Sequence, residues 1–154
     1  MSRRPPPPSM LQPDPAETEA AGEVWTAITR DIAVSVRTAF LEDHSDPQTD
    51  NYVWSYHITI DNRGTHTVRL LRRTWRITDA RGQTRTVEGE GVVGEQPLLA
   101  GGQSFSYASG TPLPTPCGFM TGLYHMVVPG TGEEFDVMIP AFSLDSPYQP
   151  RLKH

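Results

Sequence analysis

The sequence predicts an all-β protein in which antiparallel strands form a sandwich. Apolar and polar residues alternate along several short runs, which is the period of half-buried strands. Turn-forming clusters of Gly, Pro, Asn and Asp separate the runs, and no helical period interrupts them after Ile32. About seven such runs in about a hundred residues are typical of an immunoglobulin-like sandwich. A single cysteine excludes the internal disulfide of antibody domains, so the fibronectin type III-like variant is favoured.

The N-terminal segment differs in composition from the rest of the chain. Residues 1–22 are rich in Pro, Ala and Glu, and we predict a disordered tail because so few apolar groups cannot offset the entropy of ordering. Pro5–Pro8 favour polyproline II and therefore a solvated extension or an SH3-type ligand. Glu17–Ile28 contain good helix formers, so a short helix is allowed there. The folded domain is expected to span residues 23–154.

The alternating runs define the expected strands and core. We expect strands within Ile32–Arg37, Tyr52–Ile60, Leu71–Ile77, Thr84–Val87, Gln103–Ser109, Phe119–Val128 and Phe135–Ile139. Their inward positions predict a core in which Trp54 and Trp75 are packing pillars rather than ligand-stacking surfaces. The complete predicted core is Val34, Val36, Trp54, Tyr56, Ile58, Ile60, Trp75, Ile77, Tyr124, Met126, Phe135, Val137 and Ile139.

Composition restricts the function classes and the compartment. The net charge of -5 argues against general nucleic-acid binding. No apolar run is long enough to span a bilayer, and the N-terminus lacks the apolar core of a secretory signal. With one cysteine, Cys117, a reducing compartment fits best, so we expect a cytoplasmic protein without membrane association.

The most unusual stretch is Gly89–Pro97, whose three glycines have the spacing of a dinucleotide-binding fingerprint. That fingerprint requires a following helix, which Gly101 and Gly102 would cut to one turn, and Glu90 and Glu95 would repel a pyrophosphate. Two interpretations remain. The glycines either adopt conformations closed to other residues and let the chain cross between sheets, or their amides form an anion nest. The nest would take its cation from Arg72, Arg73 or Arg76.

Other candidate chemistry is sparse in the sequence. The five histidines form no i, i+2 or i, i+4 pair, although His57 and His125 share the polar phase of their strands and would meet if the strands adjoined. Asp43, Asp46 and Asp50 are better explained as a solvated acidic loop than as a weak divalent-ion site. Cys117 has no neighbouring cation in sequence to activate it, and no nucleophile elbow is present. We therefore expect no catalytic residues, no metal site and no cofactor.

Many separate blocks of the chain from Trp25 to His154 carry a family resemblance. They are Ser45–Pro47, Tyr52–Tyr56, Ile58–Asn62, Val68–Leu71, Trp75–Asp79, Gly89–Pro97, Leu99, Tyr107–Gly110, Thr115–Pro116, Gly118, Met120, Gly122, Tyr124–Met126, Phe135 and Ile139–Pro147. On these residues the sequence resembles the ApaG family, small bacterial proteins whose domain also occurs in eukaryotic F-box proteins. The resemblance implies a fibronectin type III-like sandwich of undefined molecular activity, genetically linked to cobalt tolerance and magnesium efflux. Gly89, Gly91 and Gly94 match the family signature, whereas Thr74 stands where the family pattern suggests histidine or an aromatic residue.

These observations favour a non-enzymatic module that presents a loop surface to a protein partner. The alternative is a sensor that binds phosphate, polyphosphate or a divalent ion at the same loop. For either role the expected contact residues are Gly89, Glu90, Gly91, Gly94, Gln96, Arg72 and Arg73. The partner's identity and the oligomeric state, a homodimer included, are left open by the sequence.

Overall fold

The computed structural model describes residues 23–149, so the predicted tail at residues 1–22 lies outside the described residues. Within that range nine strands follow one another, with two short 3-10 turns at Glu42–His44 and Pro47–Thr49. The strands are β1 (Trp25–Thr29), β2 (Ile32–Phe40), β3 (Tyr52–Asn62), β4 (Val68–Asp79), β5 (Thr84–Glu90), β6 (Leu98–Leu99), β7 (Ser104–Leu113), β8 (Gly118–Val128) and β9 (Glu133–Leu144).

The strands form two antiparallel sheets that pack as a sandwich, which confirms the predicted fold class. One sheet has the order β1-β2-β3-β7. The other has the order β5-β4-β8-β9, with β6 pairing beside the start of β4. All the strand pairs are antiparallel.

The core lies between the two sheets and matches the predicted set closely. Every predicted core residue is buried except Phe135, which packs at its margin. Trp54 donates its indole N–H to the Asp145 carbonyl at 2.8 Å, and the Trp75 ring meets Tyr56 edge-on at 5.3 Å between centroids. Both tryptophans are therefore packing pillars, as the alternation predicted.

Two local features differ from these predictions. The helix allowed up to Ile28 is replaced by β1, because Trp25–Thr29 pairs in register with the first five residues of β2 and this pairing overrides helix propensity. The strand expected within Leu71–Ile77 is longer, Val68–Asp79, and a β-bulge between Leu70 and Arg72 shifts its phase so that Leu70 rather than Leu71 is buried. Arg73 lies two residues before Trp75 and therefore shares its face.

No helix in the described part of the chain is long and apolar enough to cross a membrane.

Candidate functional site

The Gly89–Pro97 loop lies along one edge of β4. β5 pairs with Arg72–Thr78, and β6 pairs with Val68 and Arg69, so the loop joins two strands on the same side of β4. The chain leaves this sheet only after β6, through the turn that precedes β7. The expectation that the glycines carry the chain between sheets was therefore wrong.

The tip of the loop is a two-residue turn. The Val92 amide donates to the Glu95 carbonyl at 2.8 Å, and the Glu95 amide returns a bond to Val92 at 2.9 Å. Between them, Val93 has φ 43° and Gly94 has φ 81°. Positive φ at both central residues defines the type I′ geometry of a tight hairpin.

The other two glycines of the signature lie against close neighbours, the backbone of Glu95 for Gly91 and the guanidinium of Arg73 for Gly89. Gly91 has φ 61°, and a Cβ there would collide with the Glu95 carbonyl oxygen. A Cβ on Gly89 would lie only 2.8 Å from Nη1 of Arg73, whose guanidinium passes beside it. Nη1 then donates to the carbonyl oxygens of Glu90 at 3.1 Å and Gly91 at 2.7 Å. The glycine spacing therefore follows from the packing of Arg73 and the turn.

The β-bulge on β4 anchors the base of the loop. The Leu71 carbonyl accepts two bonds from the loop, one from the Gly91 amide at 2.8 Å and one from Nε2 of Gln96 at 3.0 Å. Arg69 donates from Nη1 to the Gln96 carbonyl at 2.9 Å, and the Leu70 amide donates to the Pro97 carbonyl. The loop is thus held to β4 at both ends and closed on itself at the tip.

In this geometry, several of the loop amides that an anion nest would use already donate to other groups of the protein. The amides of Gly91, Val92 and Glu95 all donate within the protein, and Arg73 points its Nη1 at carbonyl oxygens. Arg72 lies on the outer face of the sheet, opposite Glu90 of β5 in the strand register. The structure brings together all the predicted contact residues along this edge, and binding at them stays a prediction.

Behind the loop, Arg73 approaches a group of buried tyrosines. Tyr107 and Tyr124 share a hydroxyl–hydroxyl bond of 2.6 Å between the sheets. Burial raises the pKa of Tyr56, Tyr107 and Tyr124, and the positive charge of Arg73 only partly opposes these pKa shifts. The three phenols therefore remain neutral and act as packing and hydrogen-bonding groups.

A second polar arrangement, which sequence reasoning missed, crosses the outer face of the same sheet. Asp136 Oδ1 lies 2.7 Å from Nδ1 of His125, and Nε2 of His125 lies 2.8 Å from Oγ1 of Thr74. These residues come from β9, β8 and β4, so only the strand order brings them together. The period-two pattern places each of them outward, but the register between strands could not be read from the sequence.

His57 and His125, which would have met only on adjoining strands, lie apart. His57 lies on β3 in the four-stranded sheet, whereas His125 lies on β8 in the other, and both occupy outward-facing positions. Burial lowers the pKa of His57, and the neighbouring Arg37 adds to that lowering of the pKa. The hypothesis of a two-histidine surface site was therefore wrong.

The acidic loop and the cysteine have ordinary structural surroundings. Asp46 caps the Pro47–Thr49 turn by accepting from the Gln48 amide, and Asp50 ends that turn in a left-handed conformation. Burial, followed by the charge of Asp145, raises the pKa of the Cys117 thiol, which disfavours the reactive thiolate. Across residues 23–149, no three His, Cys, Asp or Glu side chains converge as a metal-binding group.

The fold and the loop define a small antiparallel β-sandwich protein. Its glycine signature forms a tight turn that hydrogen bonds hold to β4. The chain belongs to the ApaG family, since the family model described as the ApaG domain matches residues 42–128. It is 54% identical over 131 residues to Protein ApaG of Parvibaculum lavamentivorans, covering 85% of this chain and 100% of that protein. It is also 54% identical over 124 residues to Protein ApaG of Rhizobium meliloti, covering 80% and 95%.

Solved structures agree with this assignment. The crystal structure of a Bordetella pertussis protein described as ApaA is similar with a TM-score of 0.73 and 44% identity, covering 77% of this chain and 96% of that one. A second X-ray structure, described only as a structural-genomics target, has a TM-score of 0.73 and 41% identity, covering 83% and 96%.

Proposed function

We propose that this chain is a non-enzymatic protein-binding module that presents the Gly89–Pro97 loop and the adjacent outer face of β4 to a partner protein. The link to cobalt tolerance and magnesium efflux that the family resemblance implies would then act through that partner. The observation that carries the proposal is the conformation of Val93 at the loop tip.

Val93 combines an exposed apolar side chain with a backbone conformation that valine rarely adopts. Its φ is 43°, and its side chain is 39% exposed. A β-branched residue in the left-handed region costs about 1–2 kcal/mol, and such strain concentrates at functional positions. Asn before Gly94 would form the same type I′ turn without that cost. A valine in this conformation therefore favours a role for its side chain in contact with another molecule.

The loop is already held in one conformation before binding. Its tip is closed by the paired bonds between Val92 and Glu95, and its base is fixed to the Leu71 carbonyl. A preorganised loop loses little conformational entropy when it binds, so more of the contact energy contributes to affinity. This favours recognition of a protein surface by the loop.

The residues around the loop suit a protein interface. Leu98 is 48% exposed beside the loop base, and Arg72 is exposed on the outer face of β4. Arginine and apolar side chains are enriched in the cores of such interfaces. Val93, Leu98 and Arg72 therefore form the centre of the proposed contact surface.

The test is crosslinking affinity capture from the native cell, comparing the native domain with Val93→Asn. We expect Val93→Asn to fold and to lose the captured partner. The matched control is Val24→Asn, which changes another exposed valine, 47% exposed, ahead of β1. Equal recovery of the same partner by Val93→Asn and the native domain would contradict the proposal.

Anion binding at the same loop is a second candidate, which the arginines favour. Among residues 23–149, neither Arg72 nor Arg73 has a carboxylate within 4.0 Å, so both keep an unneutralised charge. Calorimetric titration with pyrophosphate, magnesium chloride and cobalt chloride separates the two candidates. The protein-binding proposal predicts no saturable heat, and saturable heat that Arg72→Ala abolishes would establish the anion site instead.

A further inference from the structure

A cavity of about 380 Å³ opens at one end of the sandwich. It lies where the β1–β2 turn, the β3–β4 loop and the ends of β8 and β9 meet. Its volume falls within the range of small-molecule sites, about 300–1,000 Å³. The apolar side of the cavity is formed by Ile32, Val68, Val128 and Phe135.

The positive charge at the cavity rim is already neutralised. Arg30 forms two bonds to the Glu133 carboxylate, of 3.2 Å and 3.1 Å, and its guanidinium carbon lies 4.4 Å from the centre of the Phe135 ring. This bidentate pair orients the guanidinium, so an anionic ligand would have to compete with Glu133 for Arg30.

The negative charge beside it is not neutralised. Asp31 lines the cavity, and among residues 23–149 its carboxylate has neither a hydrogen-bond donor nor an ion-pair partner. With Arg30 and Glu133 cancelling each other, Asp31 gives the rim a formal charge of about -1 at neutral pH. His66 lies on the same rim and offers an imidazole.

The backbone at this position has the positive φ values that a two-residue hairpin turn requires. Arg30 and Asp31 have φ 49° and 66° and form the two-residue β1–β2 turn, in which Asn-Gly would be preferred. The Arg30 side chain has an intramolecular role, since it contacts Glu133 and Phe135. The Asp31 backbone is fixed, since its carbonyl accepts from the Arg63 amide at 2.9 Å, yet its side chain makes no internal bond among the described residues. The turn therefore holds an exposed carboxylate in a fixed place beside the cavity, where it can pair with a ligand.

We propose that this cavity binds a small organic cation. Its ammonium group pairs with the Asp31 carboxylate, and its apolar part packs against Val68, Val128 and the edge of Phe135. An anion is disfavoured because it would meet Asp31 and find Arg30 already bound. A purely apolar ligand would leave the Asp31 carboxylate partly desolvated without compensation.

The experiment is an amide NMR titration of the domain with 2-phenylethylamine and with the neutral 2-phenylethanol. We expect saturable shifts at Asp31, Gly64, Val68 and Val128 with the amine, with a Kd of about 1 mM for so small a ligand. The alcohol should bind several times more weakly. Equal affinity for amine and alcohol, or no shift at these amides with either, would overturn the proposal.

Asp31→Asn tests the carboxylate itself. Asparagine tolerates the left-handed region, so the turn is retained while the charge is removed. We expect about fivefold weaker amine binding, the effect of one partly exposed ion pair. Asp50→Asn is the matched control, since Asp50 also has a positive φ, 54°, but lies at the opposite end of the sandwich. Unchanged amine affinity in Asp31→Asn would contradict the assignment.

Discussion

The Arg73 guanidinium lies against Gly89 so closely that a Cβ there would come within 2.8 Å of Nη1. From that position Nη1 reaches the carbonyl oxygens of Glu90 and Gly91, which begin the loop. The first glycine of the signature therefore makes room for a side chain of this same protein rather than for a phosphate group. Four predictions test this explanation and the properties of the site that follow from it.

Gly89→Ala should destabilise the domain only while Arg73 is present. The added methyl group displaces the guanidinium and breaks its bonds to two carbonyls, at a cost of about 2 kcal/mol. In an Arg73→Ala background the same change should be nearly neutral, because nothing then occupies the space. Urea denaturation of the four proteins gives the coupling energy. If the two substitutions change the free energy of unfolding additively, the contact between Arg73 and Gly89 has no energetic role.

Alanine should destabilise the domain more at Gly91 than at Gly94. Gly91→Ala adds a backbone collision with Glu95 to left-handed strain, so we expect about 3 kcal/mol or more of destabilisation. Gly94→Ala meets only the strain, at about 1 kcal/mol, because a Cβ there has no atom within 4 Å. Equilibrium unfolding of both variants measures the difference. Equal losses would contradict the contacts described for Gly91.

Val93→Asn should stabilise the domain by about 1 kcal/mol, because Asn-Gly is the preferred sequence for a type I′ turn. Thermal unfolding at fixed pH measures the shift in Tm. Val24→Asn lies outside the turn and should leave Tm nearly unchanged. A lower Tm for Val93→Asn would show that the valine side chain packs within the domain rather than serving a partner.

The buried tyrosines should make the domain sensitive to alkali. Burial raises the pKa of Tyr107 and Tyr124 above their value in the unfolded chain, so the folded state binds their protons more tightly. Their contribution to stability is fully present below about pH 10 and is lost as the pH rises from there towards the folded pKa. Tyrosine absorbance and circular dichroism should therefore change together in alkali. Ionisation of all five tyrosines before unfolding would contradict the burial.

Period-two alternation was sufficient to predict the sandwich and nearly all of its core. It did not predict the buried Leu70, because a β-bulge shifts the phase of β4 without changing the residue pattern. It also missed β6, whose two residues are too short to show a period, and the Arg30–Asp31 turn, which lacks the usual Asn-Gly signal.

The sequence correctly predicted that no long helix follows the glycine loop, but the reason for Gly89 depended on a long-range contact. Arg73 is distant in sequence from Gly89 and reaches it only because β4 pairs with β5. The chain of bonds from Asp136 through His125 to Thr74 similarly depends on the order of three strands. Such contacts follow from register, which a single sequence specifies only weakly.

The most direct test of the proposed function is affinity capture with Val93→Asn, paired with its Tm. The protein-binding proposal predicts a domain that is more stable than the native one and no longer retains the partner, while Val24→Asn retains it. A stabilised Val93→Asn domain that captures the same partner in the same amount would contradict the proposal.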